Sequence, residues 1–139
     1  PAIIKLKSGQ LEEAVEALIP QAALAPGPER IRIAGQLLSM AERVGEGGII
    51  RQIRAMQRRR DYQSALRRCK VPTLILCGAE DALTPPKRHE FLAGLIPYAR
   101  LELVEGAGHL LPLEQPQAVT AALRGWLAQP LVLQTRADA

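Results

Sequence analysis

At 139 residues, with 47% hydrophobic and 23% charged side chains, the chain is long enough for one compact domain around an ordinary apolar core. Aromatic side chains make up only 3%, so that core has to be built from leucine, isoleucine, valine and alanine. The formal charge of +4, from 18 basic and 14 acidic side chains, is too modest to argue for a nucleic-acid partner by itself, and no apolar run approaches the ~20 residues of a membrane span.

The first seventy residues are expected to be helical. Pro1–Lys7 lacks the long apolar stretch and small-residue cleavage site of a signal peptide. Leu11, Val15, Leu18 and Ile19 recur at one-face helical spacing, with Glu12, Glu13 and Glu16 on the other side. Pro20 and then Ala25-Pro26-Gly27-Pro28 break the pattern. A second helix carries Ile31, Ala34, Leu37, Leu38 and Ala41 on one stripe, and Gly45-Glu46-Gly47-Gly48 punctuates again. Ile49, Ile53 and Met56 mark a third helix, with Arg51, Arg54 and Arg58 turned away; Asp61 is the expected N-cap of a short fourth helix through Arg68.

At Val71 the pattern changes. Val71–Cys77 is a continuous apolar run closed by Gly78, which suits a parallel strand covered on both faces. Thr84 followed by Pro85 predicts a helix start, with Phe91, Leu92, Leu95 and Ile96 as its buried stripe. Leu101, Leu103 and Val104 form a second strand, closed by Gly106-Ala107-Gly108. Pro116 opens a last helix with a stripe of Val119, Ala122, Leu123, Trp126 and Leu127, and the tail over 129–139 is expected to be loose. Residues 71–128 therefore spell strand, helix, strand, helix: a right-handed parallel βαβ unit and one further helix. Cys69 and Cys77, the only cysteines, flank a strand and make a poor disulfide framework, so a reducing, cytoplasmic setting is expected.

Two loops follow strand ends, where open α/β sheets keep their ligand sites. One reads Cys77-Gly78-Ala79-Glu80-Asp81-Ala82-Leu83-Thr84-Pro85 and the other Glu105-Gly106-Ala107-Gly108-His109-Leu110. Parallel neighbouring strands would bring Asp81 and His109 within hydrogen-bond reach. A carboxylate bonded to one imidazole nitrogen fixes the tautomer and stabilises the imidazolium once the other nitrogen has taken a proton. Alone, Asp81 would pass for a turn carboxylate; the pairing with His109 is what makes it a candidate. His89, among Lys87, Arg88 and Glu90, reads as a surface residue. Cys77 reads as a buried small hydrophobe, and Glu114 near a helix start is explained by the helix dipole.

Pro72–Asp81 resembles the segment that delivers the acid in α/β-hydrolases, and Gly106-Ala107-Gly108-His109 resembles their histidine loop. Leu113-Glu114-Gln115-Pro116 and Trp126-Leu127 are similar to the closing helix of that family, within which the likeness leans toward esterases and enol-lactonases with a helical cap. The resemblance implies an α/β fold: a helical cap over 1–70, then the last two parallel strands and helices of the hydrolase core over 71–128. It implies hydrolysis of a carboxylic ester, lactone or similar acyl bond by a Ser-Asp-His triad, without cofactor or metal. Asp81 would be the acid and His109 the general base, with Glu80 facing solvent. The family nucleophile precedes both along the chain. Ser8, Ser39 and Ser64 are the serines here, and none stands in a Gly-x-Ser-x-Gly turn. The chain alone is therefore expected to be inactive and to need a missing N-terminal half, or another copy of itself, beside a small ester or lactone substrate.

Two other readings stay open on sequence. One is an inactive fragment or interaction module that pairs through an exposed sheet edge. The other is an Arg-rich anion or nucleic-acid binder, since Arg51, Arg54, Arg58, Arg59, Arg60, Arg67, Arg68 and Lys70 crowd residues 51–70 with Asp61 as their one acid. Only Tyr62 offers an aromatic for stacking there, so a solvated face is the simpler account.

Overall fold

The computed structural model describes residues 1–129; the tail expected to be loose lies outside the described residues from 130 onward. Helices α1 (Ala2–Lys7), α2 (Leu11–Leu18) and α3 (Glu29–Gln57) come first, with a 3-10 turn at Gln21–Ala23 between the last two. A short α4 (Gln63–Arg67) leads into β1 (Thr73–Gly78), α5 (Pro86–Leu95), β2 (Ala99–Val104), α6 (Leu111–Glu114) and α7 (Pro116–Ala128). The strands pair in parallel from Thr73 opposite Ala99 to Gly78 opposite Val104, so both chains leave the sheet at the same edge. No helix among the described residues is long and apolar enough to cross a membrane.

The helical segment has its own core. Leu6, Ala14, Ile49, Ile50 and Ile53 are buried together, with Ile3, Leu11 and Leu18 packed against them. Each such aliphatic side chain contributes about 1.5–3 kcal/mol by leaving water. The expected break between the second and third helices narrows to one residue: Gly45, at φ 76 and ψ 165, interrupts α3, while Gly47 and Gly48 stay helical. Such a backbone is essentially open to glycine alone.

Several expected boundaries and faces differ. Thr84 does not cap α5, because its hydroxyl is taken by Asp81. Pro85 is extended at ψ 161, as a residue before proline must be, and the helix starts at Pro86. Asp61 stands one residue before the cap of α4 and accepts the Gln63 N–H from there at 3.0 Å. In the part of α3 before Gly45 the buried residue is Ile33, while Ile31 is 78% exposed on a groove. Met56 is exposed too. Of the stripes predicted for α5 and α7, only Ile96 and Ala122 are buried; Phe91, Leu123 and Leu127 stand in solvent. Thr73–Leu76 of β1 is half-buried rather than covered on both faces. The exposure along α5, α7 and β1 has one cause: α5 packs on both strands and α7 on β1, and two strands are too narrow to cover either helix face.

Candidate active site

The site forms where β1 and β2 end. Past the paired Gly78 and Val104, the Ala79 N–H donates to the Val104 carbonyl and the Glu80 N–H to the Ala107 carbonyl, both at 2.9 Å. Gly78 lies so close to the Ala107 and Gly108 carbonyls that a Cβ there would overlap them. This close approach needs glycine, and it holds the two loops side by side.

Asp81 and His109 meet as expected. The carboxylate, in a residue only 7% exposed, accepts from His109 Nδ1 through Oδ2 at 3.0 Å. Oδ1 accepts the Leu83 and Thr84 N–H groups at 2.9 Å each, and Thr84 Oγ1 donates to Oδ2 at 2.9 Å. Burial pushes the Asp81 carboxyl up, but the hydrogen bonds from the Thr84 N–H, the His109 ring, the Thr84 hydroxyl and the Leu83 N–H outweigh it and hold it below the usual range. An ionised carboxylate only accepts, so Nδ1 carries the proton. Thr84 Oγ1, its own proton committed to Asp81, lies 3.3 Å from Nδ1 as a second acceptor. Nε2 of the neutral ring is then left with its lone pair, and the His109 side chain is 25% exposed. Chemically, the arrangement fixes the tautomer of the imidazole and leaves Nε2 able to accept a proton.

The remaining candidates separate from this pair. Glu80 is exposed, between the half-buried Ala79 and the buried Asp81. His89 sits on α5, with Nδ1 3.3 Å from the Pro85 carbonyl. Cys77 is buried at the end of β1; burial, then the nearby Asp81 carboxylate, raises its thiol. Ser8 hydrogen-bonds the Ile4 carbonyl at the end of α1, and Ser64 contacts Arg68 on α4. Ser39 is exposed on α3, so none of the three stands at a strand-to-helix turn. Among the described residues no cluster of three His, Cys, Asp or Glu side chains could hold a metal ion.

Two residues have roles that their sequence positions did not suggest. Thr84 bridges acid and imidazole, and Glu114 accepts from Ala25 and Leu110 instead of merely facing a helix dipole. Beside the histidine loop, an open groove of about 630 Å³ runs between α2 and the first half of α3, lined by Val15, Ile19, Leu24, Ile31, Leu37 and Leu38. Of the stripes expected for the second and third helices, Leu37 and Leu38 line this groove, whereas Ile53 is core and Met56 is exposed.

A family profile described as alpha/beta hydrolase fold matches residues 16–116. The chain is similar to a pimeloyl-[acyl-carrier protein] methyl ester esterase of Neisseria meningitidis, 29% identical over 72% of this chain and 32% of that protein. Among solved structures it is similar to a thermophilic esterase from Thermogutta terrifontis, at TM-score 0.80 and 29% identity, covering 91% of this chain and 47% of that one. The enol-lactonase from Burkholderia xenovorans shares the fold at TM-score 0.79 and 19% identity, covering 93% of this chain and 49% of that one. The chain thus spans about a third of that curated relative and about half of each solved structure.

Proposed function

The chain belongs to the α/β-hydrolase fold family, and from that premise we propose that Asp81 and His109 are the acid and base of a triad that hydrolyses a carboxylic ester, lactone or similar acyl bond. The observation that carries the reading is the 3.0 Å hydrogen bond between His109 Nδ1 and Asp81 Oδ2 at the shared end of two parallel strands. It leaves Nε2 as the basic atom.

A serine from outside this chain attacks the acyl carbon, and its Oγ proton passes to His109 Nε2. Nε2 hands that proton to the leaving oxygen as the carbon–oxygen bond breaks. A water molecule then gives a proton to Nε2 and adds to the acyl-enzyme, and the proton returns to Oγ as the acid departs. Asp81 stays ionised throughout and stabilises the imidazolium. These steps call for no metal or cofactor.

Residues 1–70 serve as the cap over that site, and the groove beside Leu24 takes the apolar part of the substrate. The nucleophile-bearing half packs on the open sheet and on the exposed faces of α5 and α7, which a second copy of this chain, carrying the same serines, would not complete. The span of the chain relative to its relatives and the exposure of Phe91, Leu123 and Leu127 support this. Both cysteines are free, which supports a reducing, cytoplasmic setting.

The test is hydrolysis of a panel of p-nitrophenyl esters and lactones by the chain alone and by the chain joined to a nucleophile-bearing first half. Activity only in the joined protein is the expected result. Equal turnover by the chain alone would overturn the assignment of the nucleophile to another segment.

A further inference from the structure

The histidine loop is held by a carboxylate for which the triad has no use. Glu114, the last residue of α6, is half-buried and bridges two distant parts of the chain. Its Oε1 accepts the Ala25 N–H at 2.6 Å, 89 residues away in sequence, and its Oε2 accepts the Leu110 N–H at 2.9 Å. Ala25 belongs to the linker between α2 and α3, and Leu110 directly follows His109. Between these two bonds the His109 N–H donates to the Ala23 carbonyl at 2.8 Å. Gly108 meets the backbone of Ala23, Leu24 and Ala25 so closely that no Cβ would fit. From the far side Arg30 donates through Nη2 to the Leu24 carbonyl at 2.7 Å and through Nε to the Ala25 carbonyl at 3.3 Å. A carboxylate serving a helix dipole needs only to lie near the first turn. One that spends each oxygen on a different segment does more.

We infer that Glu114 is a positioning residue for His109: its carboxylate clamps the α2–α3 linker onto the histidine loop, so that the imidazole keeps its place against Asp81 only while the helical segment is docked. The consequence for turnover rests on reading His109 as the base, but the clamp itself is measurable without turnover. The linker also carries Leu24, which lines the groove. Whatever fills the groove therefore touches Leu24, which stands between Ala23, the acceptor of the His109 N–H, and Ala25, the partner of Glu114.

The experiment is amide hydrogen exchange and imidazole NMR on the full chain, comparing the wild type with Glu114→Ala and Glu114→Gln. The sequence has only two histidines, so His89 on α5 serves as the internal reference. In Glu114→Ala the Ala25 and Leu110 amides should exchange about ten-fold faster or more. The effect should reach the His109 amide, whose acceptor is Ala23, and broaden or remove the His109 Nδ1 proton signal. The Ile75 and Leu101 amides of the sheet and the His89 signals should keep their wild-type behaviour. Glu114→Gln retains one acceptor oxygen and should give the same pattern at smaller amplitude. Faster exchange at Ala25 and Leu110 with His109 unchanged would overturn the inference, as would equal acceleration of the sheet amides. If Glu114→Ala does not fold, Glu114→Gln decides: release at His109 supports the clamp, and an unchanged His109 contradicts it. Either outcome leaves the hydrolase reading to be judged by its own assay.

Discussion

Asp81 is supplied with more hydrogen-bond donors than the orientation of one imidazole requires, and that surplus has a pH signature. Burial alone would raise its carboxyl, yet the Thr84 N–H, the His109 ring, the Thr84 hydroxyl and the Leu83 N–H together leave it lowered. A folded value below the unfolded one, about 3.9, stabilises the fold at all higher pH. That contribution disappears as pH falls through the folded value. Melting temperatures should therefore decline below about pH 4 in the wild type. Asp81→Asn should melt lower at neutral pH and decline less steeply; parallel curves would refute the assignment. Thr84→Val should cost about 1.5–3 kcal/mol, the range for a hydrogen bond to a charged group, and Thr84→Ser should recover most of it in denaturant titrations. The acid and the histidine were legible in sequence because each follows a strand and a glycine. Thr84 was not, because a threonine before a proline gives the same signal whether its hydroxyl caps a helix or serves a carboxylate three residues upstream.

Glycines tie the elements together, but not all in the same way. Gly78 and Gly108 sit where another backbone fills the place of a Cβ, so Gly78→Ala and Gly108→Ala should each cost about 3 kcal/mol, the upper end for overpacking. Gly45 has open space around it but a positive φ, and Gly45→Ala should cost about 1–3 kcal/mol through strain alone. Gly125 in α7 has neither constraint, and Gly125→Ala should be neutral or stabilise by up to about 1 kcal/mol. Urea midpoints of the four variants check this order, and destabilisation by Gly125→Ala would count against it. Element types were readable from periodicity: α2, the two parts of α3, both strands, α5 and α7 lie within a few residues of the expected spans. Their ends were less so, because a cap is chosen by competition for one side chain. Asp61 and Thr84 both look like caps, yet Asp61 acts from one residue before the cap and the Thr84 hydroxyl serves Asp81 instead.

For the whole molecule, the apolar pattern described a larger object than two strands and their helices. Phe91 and Leu127 belong to stripes that sequence periodicity assigns to a core, yet Leu127 is 72% exposed. Periodicity records which face a helix is built to bury, not whether the surface that would bury it is present. The same holds for β1, whose continuous apolar run is half-buried. Chain span and unpaired faces agree: the chain covers 47% of a solved esterase at TM-score 0.80, and what it holds is the Asp81–His109 pair proposed as acid and base and the segment proposed as the cap. The proposed function makes His109 the general base of an enzyme completed by a serine from elsewhere. Its most direct test is ester hydrolysis by the chain joined to a nucleophile-bearing first half, measured side by side with His109→Ala. The joined protein should turn over, and His109→Ala should lower kcat by about a thousand-fold or more, with its melting temperature close to that of the unsubstituted protein. A folded joined protein that hydrolyses esters equally well without the histidine would contradict it.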